Sequence, residues 1–298
     1  MTGRRRPPGS KALWVLVLAC LGAVLLVSAL APGRLTGFDP MGTVASGSTD
    51  LPAGPTHHDG PLAHAYVHGL RVVALGDSVT SGAHCDCDAF PVVYGRMLAR
   101  LTGVPVHVDN LGVGGLGSAG LLKSLDDTTS PEARAVADAH VALVTIGAND
   151  FGDHHADITS GQCSGSPGDD CVADEIAAMR SHVRDILERA RALRHGQPTT
   201  VLVTGYWNVF EDGDVARASF PASGRAATIQ LTLRANAAIR SAAQEAGATY
   251  VDLYHPFQDR PGGPTGLLAD DGDHPSAQGH ALTAQMLMAA GLPGLTAR

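Results

Sequence analysis

The first residue in this chain that could do chemistry is a serine placed directly after an apolar run. Arg71-Val72-Val73-Ala74-Leu75 is followed by Gly76-Asp77-Ser78. The run predicts a buried strand, and the residues after it predict its C-terminal turn. A serine there stands at the rim of a sheet, its hydroxyl toward a crevice rather than the core. Far downstream the chain offers Asp271-Gly272-Asp273-His274. A hydroxyl, an imidazole and a carboxylate are the parts needed for acyl transfer through a covalent serine ester. Ser78 also has a plainer use, as the cap of a following helix.

The elements that must position these residues alternate along the chain. Strand-like runs are expected at Arg71–Leu75, Val106–Leu111, Val141–Ile146, Thr200–Thr204 and Thr249–Leu253. Helical spacing falls between them. Phe90–Leu101 carries Val93, Met97, Leu98 and Leu101 on one predicted face, and a helix emerges from a loop within Gly114–Leu125. Ser130-Pro131-Glu132 is a capped start. Val172–His195 is the clearest helix, its stripe formed by Ile176, Met179, Val183, Ile186, Leu187, Ala190 and Leu193 and its stop by Gly196. Ala226–Ala246 and a final helix capped by Ser276 complete the pattern. Repeated βα units with short, continuously apolar strands predict an α/β fold, a five-stranded parallel sheet sandwiched between helical layers. Ser78, Gly115, Asn149 and the Asp271–His274 loop all follow predicted strands, so they converge on the edge where such sheets bind ligands.

The turn Gly76-Asp77-Ser78-Val79-Thr80 is not G-x-S-x-G, and the acid stands only three residues before the histidine. Both features separate it from the nucleophile elbow of α/β-hydrolases. The pattern resembles the SGNH (GDSL-type) hydrolase family instead. Four blocks carry the likeness in order: Gly76-Asp77-Ser78, Asn110-Leu111-Gly112-Val113-Gly114-Gly115, Gly147-Ala148-Asn149-Asp150 and Asp271-Gly272-Asp273-His274-Pro275. The resemblance implies a flavodoxin-like three-layer fold and a serine esterase or lipase-like enzyme. It implies Ser78 as nucleophile, His274 as base and Asp271 as its partner. It further implies an oxyanion hole made by the Ser78 and Gly115 backbone N–H groups and the Asn149 amide. Gly112 and Gly114 compete with Gly115, Asp273 competes with Asp271, and Asn149 has the alternative of bracing a turn. Asp150 is expected to fix its loop rather than react.

The expected chemistry needs no cofactor and no metal. His154-His155 with Asp153 is a metal candidate without a clearly spaced third ligand, His57-His58-Asp59 lies in a tether that does not hold ligands in fixed geometry, and the cysteines lack the two C-x-x-C pairs of a zinc site. Lipid esters, small acyl esters and O-acetylated glycans are the candidate substrates. Trp207, Val209 and Phe210 are candidates to line an acyl pocket. Two rivals stand beside the esterase: an acyltransferase using the same triad, and a catalytically dead binding module.

Composition narrows the setting. The 298-residue chain carries a net charge of −8, and its only basic cluster lies within the first eleven residues. Nucleic-acid binding is disfavoured, since phosphates need grouped Lys and Arg. Residues 1–11 form a basic tail with Arg4, Arg5, Arg6 and Lys11, and residues 12–31 run without a charge. Such a helix spans ~30 Å, the thickness of a bilayer core. It is longer than the ~7–15 apolar residues of a cleaved signal peptide. An uncleaved anchor is therefore expected, with cleavage after Ala29-Leu30-Ala31 as the alternative. The positive flank places the remainder outside the cytoplasm. Residues 32–68 predict a disordered tether, and residues 69–298 the hydrolase domain, expected as a monomer. Cys163 and Cys171 bracket a short polar loop and are the expected disulfide, worth about 2–3 kcal/mol in the chain-entropy model. Cys85 and Cys87 remain, either bridged to each other or crossed with the first pair.

Overall fold

The computed structural model describes residues 68–164 and 170–295. The basic tail, the apolar segment 12–31 and the tether up to residue 67 lie outside the described residues. No helix among the described residues is long and apolar enough to cross a membrane.

The five apolar runs form five strands: β1 (Leu70–Gly76), β2 (Val106–Gly112), β3 (Val141–Thr145), β4 (Thr200–Thr204) and β5 (Thr249–Val251). All pair in parallel, in the order β2-β1-β3-β4-β5. Every residue of β3 and β4 is buried, as is nearly all of β1. That is why these strands read as continuous apolar runs, with no exposed face to demand polar alternation. The edge strand β2 is only half-buried and alternates accordingly.

After β1 the chain forms α1 (Ser78–Ser81) and α2 (Phe90–Thr102). The helices α3 (Ser118–Asp126) and α4 (Pro131–Asp138) lead to β3. A 3₁₀ segment (Ala148–His154), α5 (His155–Ser160) and α6 (Ala173–Ala192) lead to β4. The helices α7 (Gly213–Ser219) and α8 (Ala222–Ala246) precede β5, and α9 (Tyr254–Gln258) and α10 (Ala277–Ala289) follow it. One layer pairs α2 with α10, and the other packs α3, α6 and α8 in series. From β1 the chain steps outward to β2, then crosses back over β1 to β3. The carboxyl ends of β1 and β3 therefore flank the point where strand order reverses, the place where open α/β sheets form a crevice.

Two expectations change. Of the predicted α2 face, Leu98 is buried and Val93 and Met97 are half-buried against the core, but Leu101 is 69% exposed, and the fully buried side rotates toward Phe90 and Tyr94. The cause is Gly95 on the buried side. A Cβ there would meet Val108 Cγ2 at 2.3 Å, so the glycine lets the helix approach β2 and sets its rotation. The last strand stops at Val251, two residues early, because the Asp252 carboxylate accepts the Tyr254 N–H (3.0 Å) and turns the chain into α9.

Gly76 ends β1 at φ +141, and a Cβ there would lie 1.9 Å from the Thr145 carbonyl oxygen of β3. Backbone strain and overlap together predict that Gly76→Ala destabilises the domain by at least about 3 kcal/mol. A urea unfolding midpoint close to wild type would contradict this close approach.

Candidate active site

Ser78 is the first residue of α1, and its position is fixed from the residue before it. The Asp77 N–H donates to the Thr145 carbonyl (3.1 Å), and Asp77 Oδ1 accepts the Val79 N–H (3.0 Å). Asp77, not Ser78, is thus the helix cap. The serine side chain is spared that task. Among the described residues, no hydrogen bond engages the Ser78 hydroxyl or its backbone N–H.

Asp77 itself is held from β4. The Tyr206 hydroxyl donates to Asp77 Oδ2 at 2.5 Å. Tyr206 is gripped in turn by the Asn236 amide, which accepts its N–H (2.9 Å) and donates to its carbonyl (2.8 Å). Asp77 and Tyr206 are each 1% exposed. Burial pushes the Asp77 carboxyl up to about 6, against the opposing pull of the Tyr206 and Val79 hydrogen bonds. Burial, and then the neighbouring carboxylate, raise the Tyr206 phenol well above its ordinary value.

The histidine loop is organised around Asp271. Its Oδ1 accepts the N–H groups of Asp273 and His274 (3.0 Å each), and its Oδ2 faces His274 Nδ1 at 2.7 Å. Asp273 lies farther off, at 3.8 Å from the same nitrogen. The adjacent side chain cannot curl back to the ring, so Asp271 is the partner of His274. Burial opposes the charge of Asp271, but the two backbone N–H groups and the ring outweigh it and hold the carboxyl below its usual range. Gly272 makes the turn possible at φ +74, where a Cβ would strike the Val215 side chain at 2.5 Å.

Ser78, Asn149 and Asp273 line one cleft of ≈ 140 Å³, walled by Tyr206, Trp207, Val209 and Phe210. The charges of His274 and Asp273 both act on Asp77, directly behind the serine. No hydrogen bond joins Ser78 Oγ to the His274 ring. The Asn149 amide donates to the Leu116 carbonyl (3.1 Å), which engages one of its two N–H bonds. Gly115 is exposed at φ +75, and its N–H has no partner within the described residues. Gly112 is excluded as a donor toward the cleft, because its N–H is spent on Asn110 Oδ1 (3.1 Å). Gly114, like Gly115, stands open.

A second serine, Ser118, also meets an acid and a histidine. Its hydroxyl donates to Asp150 Oδ1 and lies 3.0 Å from His182 Nδ1, and its N–H donates to Asp150 Oδ2 at 2.9 Å. The order is wrong for acyl transfer, which needs the imidazole between hydroxyl and carboxylate. Ser118 is also fully buried, beyond the reach of an acyl carbon. This cluster ties α3 to the loop carrying Asn149. His154 and His155 diverge to separate carboxylates, Glu175 (3.1 Å) and Glu211 (3.0 Å), and do not form a joint ligand set with Asp153. Cysteines pair as 163 with 171 and 85 with 87. Sequence reasoning missed Tyr206, Asn236 and Ser118. The only signal was that Gly205-Tyr206 follows a strand on the same sheet edge as Ser78.

Residues 74–282 match the model of the GDSL-like Lipase/Acylhydrolase family. A lipase (Lip_vut3) from a goat rumen metagenome superposes with a TM-score of 0.60 at 19% identity, covering 76% of this chain and 99% of its own. Phospholipase A1 from Streptomyces albidoflavus NA297 superposes at 0.52 with 21% identity, over 74% and 99%. LAE5, an α/β hydrolase from a Lake Arreo metagenome, gives 0.51 at 15% identity, over 76% and 97%. No curated protein matches the chain significantly. The parallel sheet and its two helical layers define the flavodoxin-like three-layer class. The chain belongs to the GDSL-like lipase/acylhydrolase family, the SGNH hydrolases.

The buried carboxyl at 77 has a measurable signature. Its folded value lies above its unfolded value, so the folded state binds the extra proton between pH 3.8 and about pH 6. Stability from this group is intact below that window and declines as pH rises through it, by about 3 kcal/mol in full. Asp77→Asn should remove that decline, since an amide keeps the cap and can donate to Tyr206. Unfolding free energies of both proteins on either side of the window check this. A pH dependence identical in the two proteins would contradict it.

Proposed function

We propose that this protein is a serine esterase that hydrolyses carboxylic esters through an acyl-enzyme on Ser78. His274 takes the Ser78 proton on Nε2 and returns it to the leaving alcohol. Asp271 holds the ring through Nδ1 and stabilises the imidazolium. The tetrahedral oxyanion is received by the N–H groups of Ser78 and Gly115 and by the free N–H of the Asn149 amide. Water then repeats the sequence on the acyl-enzyme and releases the acid. The observation that carries this reading is the unspent Ser78 hydroxyl and N–H, kept free by an Asp77 cap, on the cleft that Asn149 shares.

The cleft favours a short acyl group. Its apolar wall is Trp207, Val209 and Phe210, but Glu211 and His155 also line it, joined at 3.0 Å. A long chain would strip water from that pair without replacing its hydrogen bonds. Small acyl esters and O-acetylated glycans therefore suit the site better than long-chain lipid esters. The two disulfides and the basic-then-apolar N-terminus support an extracytoplasmic enzyme held by residues 12–31.

The test is turnover of p-nitrophenyl esters of increasing chain length. Acetate and butyrate should turn over faster than palmitate, and Ser78→Ala should abolish turnover. Folded protein inactive on every ester would overturn the reading. Asn149→Ala should lower kcat by ~10²–10³, as loss of an oxyanion donor does, with a thermal midpoint close to wild type. A fall in the midpoint with kcat retained would make Asn149 a brace instead.

A further inference from the structure

A third imidazole stands beside the His274–Asp271 pair. The His84 ring stacks on the His274 ring, with centroids 4.5 Å apart and planes 25° from parallel. Its Nδ1 lies 3.4 Å from the same Asp271 Oδ2 that His274 Nδ1 meets at 2.7 Å. Nothing in the proposed ester chemistry uses His84. Its backbone lies in the left-handed region, at φ +58, which is uncommon for a non-glycine residue. Gly82 ends α1 just before it, and the Cys85–Cys87 bridge closes the chain just after it. The ring is thus carried on a short segment fixed at both ends.

We propose that His84, Asp271 and His274 form an inhibitory binding site for a divalent transition-metal ion of the zinc class. The three donor atoms lie within 4.8 Å of one another. Around a tetrahedral zinc with bonds of ~2.0–2.1 Å, neighbouring donors sit about 3.3 Å apart. The 3.4 Å separation already fits, and the 2.7 Å pair has to open only slightly. The His84 side chain is 61% exposed, so it can turn its nitrogen inward and leave the fourth position to water. Two imidazoles and one carboxylate select zinc, cobalt, nickel or copper over magnesium and calcium, which want an all-oxygen shell.

Inhibition follows from the tautomer. As the base for Ser78, His274 carries its proton on Nδ1, donated to Asp271, and offers the Nε2 lone pair. A metal on Nδ1 takes the lone pair at that atom, and the ring proton moves to Nε2. No proton is lost from the ring and no bond to Ser78 forms. The nitrogen that should accept the serine proton already bears one. The ion thus silences the enzyme without touching the nucleophile, and chelation restores it. This consequence rests on the proposed catalytic role of His274; the binding itself does not.

The experiment uses the full chain and zinc chloride. Calorimetry should show a zinc-binding component that survives in Ser78→Ala and is weakened about tenfold or more in His84→Gln. Other histidines of the chain contribute equally in all three proteins, so the His84-dependent component decides. In parallel, zinc should inhibit p-nitrophenyl acetate turnover reversibly, with EDTA rescue. His84→Gln should keep its metal-free turnover while needing about tenfold or more zinc for half inhibition. Equal zinc affinity in wild type and His84→Gln, or inhibition unchanged by that substitution, would overturn the site. His84-dependent binding in a protein inactive on all esters would leave the site standing and overturn only the esterase reading.

Discussion

A buried hydrogen bond between Tyr206 and Asp77 is the constraint on which the rest of the site depends. The Asp77 carboxyl reaches back to cap α1 with one oxygen and is gripped by the phenol of β4's end with the other. Capping by the residue before the serine is what leaves the serine unspent. Asn236 extends the brace into α8 by gripping both polar groups of the Tyr206 backbone. Two strand ends, a four-residue helix and a helix on the far layer are thereby locked to one carboxyl. The arrangement is expensive in solvation: Asp77 and Tyr206 lose nearly all contact with water. Such burial is tolerated when every polar atom finds a partner.

The same logic recurs in the other two loops. Asp271 satisfies its carboxylate with the backbone of the two residues it must orient and still keeps an oxygen for the imidazole. Asp150 receives the hydroxyl and N–H of Ser118, which anchors the start of the 3₁₀ segment where Asn149 sits. Each loop pairs one acid that stiffens the backbone with one candidate functional residue: Asp77 with Ser78 and Asp150 with Asn149, both on the cleft, and Asp271 with His274, whose ring it holds. The sheet supplies the convergence and the acids supply the rigidity. Preorganised donors and bases are useful because no reorganisation is needed when charge develops.

Much of this was legible in the sequence. The five strands and their continuous burial followed from short apolar runs, and the sheet edge followed from the βα alternation. The four blocks stood out because Gly, Asp, Asn and His cluster after strands. The match to the GDSL-like lipase/acylhydrolase family bears out the resemblance that they carried. What escaped was set by tertiary contact. Tyr206 follows its strand as an ordinary aromatic, and only the fold brings it to Asp77 across 129 residues of chain. The rotation of α2 that exposes Leu101 escaped because apolar spacing does not register what a glycine permits, namely contact with Val108. Ser118 escaped because the histidine and acid that meet it come from two other elements. His84 gave no signal by type or spacing. Its stacking on His274 depends on a left-handed turn that the sequence does not announce.

The central claim is that the Asp77 brace leaves one serine hydroxyl reactive at the sheet edge. Intact-mass and peptide-mapping analysis of the full chain after exposure to a fluorophosphonate tests it most directly. The account predicts a single phosphonyl adduct, mapped to Ser78 and absent when His274 is replaced by alanine. A folded protein that takes up no adduct, or one that is labelled at Ser118 instead, would contradict it.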